Sequence, residues 1–161
     1  LFVSKGGEDL LIPDLVERSL SSMQQTLADK GFKVTITEKV YSNKFPYGQI
    51  ISQEPAPGLP AKKGDEIRIV LSSGYPVGLK LIDKNEKNIV ARLSIGCQQD
   101  WDPQNVFVYT EDKTGRHKYF EKLLAAGETK ELDIVGDPDT VVEVYYFNDL
   151  AYKQDLKALS K

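Results

Sequence analysis

The chain has 161 residues, 40% of them hydrophobic and 28% charged, with a formal net charge of -3 and an isoelectric point near 5.3. That length suits one ordinary domain or two small ones. The acidic balance argues against a general nucleic-acid binder, which gains from counterion release only through a concentrated basic surface, and no run approaches the roughly 18–20 consecutive apolar residues of a membrane helix.

The chain opens on Leu1-Phe2-Val3, with neither an initiating Met nor a signal-peptide pattern, and reads as a strand within something longer. Ser4-Lys5-Gly6 after it is echoed by Ser72-Ser73-Gly74 after Leu71. We read the echo as an internal repeat, residues 1–8 being the tail of a preceding copy of the unit that follows. In that unit Ser19 is a good N-cap, and Leu20, Met23 and Leu27 follow at helical spacing. Gly31 suits the left-handed position past the helix end, with Phe32 covering it. Val34, Ile36 and Glu38 to Val40 then read as a strand, and Tyr47-Gly48 turns the chain into a second one, Gln49 to Ser52. Pro55, Pro57 and Pro60 keep the following segment out of a sheet interior, because each removes a ladder donor. From Gly64-Asp65 a third strand places Ile67, Ile69 and Leu71 on one face and Glu66, Arg68 and Val70 on the other, the helix stripe packing on the first.

These residues, in this order, resemble the PASTA domain family. The opening motif is Ile12-Pro13-Asp14-Leu15-Val16, the helix ends in Gly31-Phe32-Lys33-Val34, and the most specific run extends from Gly48 through Ile50-Ile51-Ser52-Gln53 and Pro55 to Gly58. Lys62-Lys63-Gly64 and Ser72-Ser73-Gly74 complete the pattern. Two positions depart from it: Glu17 stands where the family usually has glycine, and Met23 where it has a small helix residue, which suggests local repacking at the helix start. The resemblance implies an α+β module of one helix on a three-stranded sheet, over residues 9–74. It further implies an extracellular place, at the outer face of the plasma membrane in the cell wall, as part of a Gram-positive single-pass membrane Ser/Thr kinase or of a penicillin-binding protein. The implied partners are uncrosslinked peptidoglycan or muropeptides, with tandem copies and a ligand-induced dimer as the route to signalling.

Residues 75–161 carry no motif as firm. Val77 to Ile82, Ile89 to Ile95, Asn105 to Tyr109, Lys130 to Val135 and Val141 to Phe147 read as strands. They are separated by turn signals at Asp83-Lys84-Asn85, Asp102-Pro103, Thr114-Gly115, Ala126-Gly127 and Gly136-Asp137-Pro138. We expect an all-β, Ig-like antiparallel sandwich. Some PASTA kinases end in such a domain, a likeness of layout that favours a kinase parent. Leu150 to Lys161 reads as a frayed tail or linker.

Catalysis has little support. His117 is the single histidine and sits between Arg116 and Lys118, no Gly-X-Ser-X-Gly elbow or Walker loop occurs, and no His/Cys set has zinc spacing. No cofactor or metal is expected. Asp100 and Asp102 read as solvated turn carboxylates. Cys97, the only cysteine, alternates with Leu93 and Ile95 and reads as a core thiol.

A muropeptide offers carboxylates, amides and sugar hydroxyls. Arg68 is the first candidate for it, since a guanidinium grips a carboxylate through two parallel bonds; its plainer reading is a cross-strand partner for an acidic residue. Glu66 on the same face could answer an ammonium or amide, while Tyr47, Gln53 and Glu54 could form a rim. Lys62 and Lys63 read as a solvated turn. Trp101 and Tyr145-Tyr146-Phe147 invite a carbohydrate-platform reading, but alternation sets Tyr145 and Phe147 on one face and Tyr146 on the other, so at least one side is core. The expected function is a non-catalytic wall sensor regulating an attached kinase; the alternatives are a structural spacer with an interaction cap, or part of a penicillin-binding protein.

Overall fold

The computed structural model describes residues 10–160, which divide into two compact units between Gly74 and Tyr75. The expected tail of a preceding repeat, residues 1–8, lies outside the described residues.

The first unit begins with β1 (Leu10–Leu11) and helix α1 (Leu20–Asp29), followed by β2 (Lys33–Val40), β3 (Ile50–Glu54), β4 (Pro60–Ala61) and β5 (Glu66–Ser72). Strand β5 is the centre of a three-stranded sheet, with β2 parallel on one side and β3 antiparallel on the other. Leu27 of the helix and Ile50, Ile67 and Ile69 of the sheet share one core with Ile12, Leu15 and Phe32. Leu20 and Met23 are only partly buried against it, so the helix rests on the sheet mainly through its last turn.

That last turn closes as the Gly31-Phe32 signature requires. The Phe32 N–H reaches back to Leu27 O and the Gly31 N–H to Ala28 O, at 3.0 Å each, with Gly31 at φ 83°. This double closure satisfies carbonyls the helix would leave open, and it buries Phe32. Ser19 occupies the N-cap backbone position, but its hydroxyl pairs with Ser21 Oγ and makes no capping bond.

The alternation expected along the third strand breaks at its end. Val70 and Leu71 are both half-buried, and Ser72 takes the inward position. Both neighbouring strands shift register opposite this point. Ser72 tolerates burial because its hydroxyl donates to Phe45 O at 2.6 Å and accepts from the Gly74 N–H at 3.0 Å. Pro60 lies in a two-residue strand, paired with Leu11 outside the main sheet.

Glu17 is held at φ 69°, its N–H bound to Ile50 O at 2.9 Å. This position is where the family favours glycine, and the departure is therefore carried by strained backbone rather than by repacking alone. Glu17→Gly is expected to stabilise the unit by up to about 1 kcal/mol, strain relief being partly offset by the freer unfolded chain. Urea unfolding checks this, and a loss of stability would mean that the Glu17 side chain makes contacts worth more than the strain.

In the second unit, β6 (Val77–Lys84), β7 (Ile89–Gly96) and β10 (Thr129–Gly136) form an antiparallel sheet in the order β10-β7-β6. A four-stranded antiparallel sheet, β12-β11-β8-β9, is built from β8 (Gln104–Asp112), β9 (Gly115–Leu124), β11 (Val141–Tyr146) and β12 (Asp149–Asp155). Ala91, Leu93 and Ile95 of the first sheet and Val106, Val108, Val142, Val144 and Tyr146 of the second bury one another in a common core. Tyr146 stacks on Tyr75 at 4.2 Å, and Trp101 meets the edge of Tyr75, so Trp101 and Tyr146 serve packing. Cys97 is buried as expected, and burial pushes its thiol pKa up, away from reactivity.

Two segments depart from the sequence reading. Residues 115–124 form a full strand, and Leu150 onward is no frayed tail: it completes β12, then enters a short 3-10 helix, Leu156–Ser160. Leu156 is fully buried, and the Leu156 and Lys157 N–H groups bond Thr140 O and Pro138 O at 2.9 Å.

Candidate functional site

In the first unit the sheet has one face on the core and one open. Register decides which side chain goes where. Gln53 lies opposite Ile69 on the core-facing side; Glu54 lies opposite Arg68 on the open side. The open face carries a shallow trough of about 390 Å³ lined by Thr37, Ser52, Gln53, Glu54, Arg68, Ile69 and Val70.

Within it, the Arg68 guanidinium stands 3.3 Å from the Glu54 carboxylate, their side chains 53% and 72% exposed. An ion pair this wet is worth about 0–1 kcal/mol. Its weakness leaves the guanidinium loosely held, whereas a buried pair would resist exchange. Thr37 is fixed at the edge of the trough by its hydroxyl donating to Ile69 O at 3.1 Å, where β2 shifts register against β5.

The other sequence candidates are placed differently. Glu66 is exposed at the start of β5 on the same face as Arg68, two residues away and beside Lys33 of β2, outside the trough. Tyr47 is 83% exposed in the loop before β3 and does not line the trough either; its backbone and Cβ fill the space that a side chain at Gly74 would need. Gln53 lines the trough and also serves as a tie. Its Oε1 accepts the Leu15 N–H at 2.7 Å, while its Nε2 donates to Pro13 O at 2.9 Å and Pro55 O at 3.1 Å. One side chain thus staples the opening Ile-Pro-Asp-Leu segment to the proline loop while it also lines the trough. Thr37 and Ser52, which also line the trough, are not among the sequence candidates; the register of β2 and β3 against β5 brings them there.

This arrangement coincides with a family. The PASTA domain family matches residues 11–73. Residues 11–73 are a PASTA domain. The wider chain is similar to serine/threonine-protein kinase PrkC of Bacillus subtilis, 36% identical over 46% of this chain. It is also similar to a probable serine/threonine-protein kinase of Clostridium perfringens, 27% identical over 60% of it. The matched stretch spans only 11% and 15% of the length of those two kinases. Among solved structures, the entire extracellular region of the Ser/Thr kinase PrkC from Staphylococcus aureus aligns with 92% of this chain and 51% of its own, at 22% identity and a TM-score of 0.38.

Among the described residues, no group of three or more His, Cys, Asp and Glu side chains is arranged to hold a metal ion. None of the described helices is long and apolar enough to cross a membrane. His117 is half-exposed, bonded to Thr114 Oγ1 at 2.9 Å, and 3.8 Å from the Asp112 carboxylate.

Proposed function

We propose that this chain is part of the extracellular sensor region of a membrane Ser/Thr kinase, and that its PASTA domain binds uncrosslinked peptidoglycan fragments through Arg68. The observation that carries the reading is the PASTA match over residues 11–73, together with the kinase names of the relatives given above. On this reading residues 9–74 are the PASTA domain, and residues 75–161 are an Ig-like antiparallel sandwich. Sheets of three and four strands around one core support that second assignment. The fragment itself is non-catalytic, lies outside the cell, and works by reporting ligand to a kinase domain elsewhere in the parent.

Arg68 would exchange Glu54 for a stem-peptide carboxylate, with Thr37 and Ser52 offering hydroxyls to the neighbouring amides. Glu66, one pleat away on the same face, would answer an ammonium group. The Arg68–Glu54 pair also favours a second reading, a spacer through the wall, because an ion pair closed within the domain has no need of a ligand.

Co-sedimentation with purified peptidoglycan separates the two. The wall-binding reading expects the chain to pellet with the polymer and Arg68→Ala to reduce the bound fraction at least about fivefold, the loss of a charge-assisted contact. The domain's stability should change by less than about 1 kcal/mol, because the pair is wet. Equal sedimentation of the two proteins, or none by either, favours the spacer.

A further inference from the structure

The outer face of the four-stranded sheet in the second unit carries an aromatic patch that the core does not use. Cross-strand register sets Tyr145 opposite Phe107 and Glu143 opposite Tyr109, all on the side away from Val106, Val108 and Val144. Phe147 follows in the two-residue turn between β11 and β12. With Arg116 and Asn148 these rings line a depression of about 280 Å³.

Two features of the patch are unusual for a merely solvated sheet face. The first is Phe147, which is held at φ 53° and is 51% exposed. The first central position of such a hairpin turn ordinarily belongs to Gly, Asn or Asp. Here a bulky phenyl bears the backbone strain and still lies half in water, the pairing of costs that functional positions show. The second is the fixing of Arg116. Its guanidinium lies 3.9 Å above the Tyr109 ring and 5.5 Å from that of Tyr145. It donates to Glu143 Oε2 through Nε at 3.0 Å, and a terminal nitrogen stands 2.8 Å from the same oxygen as an ion pair. Glu143 is only 5% exposed and is held from the other side by Lys153 at 3.0 Å. Burial pushes the Glu143 carboxyl pKa up, but its bonds to Lys153 and Arg116 outweigh that and hold it ionised. Glu111 lies opposite Arg116 across β8 and β9, so two cations and two carboxylates balance, and the second terminal nitrogen of Arg116 has no hydrogen-bond or ion-pair partner among the described residues.

We infer that this face is a saccharide-binding site, taking one hexopyranose unit of a polysaccharide. A pyranose presents a flat C–H face, which stacks on aromatic rings, and a rim of hydroxyls, which planar amide and guanidinium donors bridge in pairs. Phe147, Phe107 and Tyr145 supply the first; Asn148 and the unused edge of Arg116 supply the second. The depression has the scale of one sugar ring, too short for a helix, and the ion cluster beneath it is unsuited to a lipid chain. Arg116 is locked before any ligand arrives, which lowers the ordering cost of a weak polar ligand. The inference does not depend on the role proposed for the PASTA domain.

The test is an NMR titration of the whole chain with chitotetraose, cellotetraose and tetragalacturonate, repeated with Phe147→Asn and Arg116→Lys. Asparagine suits the turn, so Phe147→Asn is expected to keep or raise the melting temperature while weakening sugar binding at least about tenfold. Arg116→Lys keeps the charge on Glu143 but loses the planar edge, and should also weaken it. Saturable shifts at Phe107, Tyr145, Phe147 and Asn148 with one of the sugars support the site. It is overturned if none of the three produces them at millimolar concentration, if Phe147→Asn binds as well as the parent, or if Phe147→Asn lowers the melting temperature, which would make the phenyl a packing residue.

Discussion

Replacing Gln53 by alanine is expected to destabilise the PASTA domain by about 3 kcal/mol, the largest effect of any polar substitution in that unit. The reason is the number and quality of groups left behind. Leu15 is fully buried, and its N–H bonds Gln53 Oε1 at 2.7 Å and no other acceptor among the described residues. The carbonyls of Pro13 and Pro55 lose their donors in the same step. A domain so small holds little stability in reserve, so a loss of this size leaves a measurable unfolded fraction at ordinary temperature. Amide hydrogen exchange reads it directly: protection at Leu15, Ile67 and Ile69 should fall together. Gln53→Glu is expected to do nearly as badly, because a carboxylate can accept from Leu15 but cannot donate to either proline carbonyl. A change below about 0.5 kcal/mol for Gln53→Ala would mean that water replaces the side chain, and that Gln53 is free for the rim role its place in the motif first suggested.

Tyr146→Phe is the corresponding test in the second unit. The Tyr146 hydroxyl is fully buried, donates to Gly96 O at 2.7 Å and accepts the Gly96 N–H at 3.2 Å. It thus pins the end of β7 in one sheet to β11 in the other, and burial pushes its pKa far above the ordinary phenol value. Removing the oxygen strands both backbone groups of Gly96 in the core, for an expected loss of about 2 kcal/mol and a fall of about 10 °C in the melting of that unit. The ring itself stays, so its stacking on Tyr75 is kept and the loss is assignable to the hydroxyl. Calorimetry checks it. An unchanged melting temperature would show that the sheets are held by apolar packing alone.

What the sequence made legible followed from how strongly each residue's surroundings constrained it. The helix end was readable because Gly31-Phe32 is a backbone requirement written in residue types, and the closing bonds to Ala28 and Leu27 are its fulfilment. Five strands of the second unit were readable from their buried alternation. The two that were missed, β9 and β12, are the edges of the four-stranded sheet. An edge strand is less tightly constrained by its neighbours: Tyr119 and Leu123 of β9 are exposed, and only Phe120 and Leu124 turn inward, too few to make a period of two. Arg68 and Glu54 were legible one at a time, but their pairing depended on a register shift after Ile50 that no local pattern announces. The same shift sends Gln53 to the core side. Phe147 was legible as an outward aromatic, yet its strained backbone emerges only from the two-residue hairpin that β12 completes.

We propose that the open face of the PASTA sheet receives a peptidoglycan fragment at Arg68. The most direct test is an NMR titration of this chain with two synthetic muropeptides that differ in their third stem residue, run beside Arg68→Ala. Saturable shifts are expected at Thr37, Ser52, Glu54 and Arg68, different in size for the two ligands and lost in the variant. Shifts that persist in Arg68→Ala, that fall only in residues 75–161, or that are absent at millimolar ligand would contradict it.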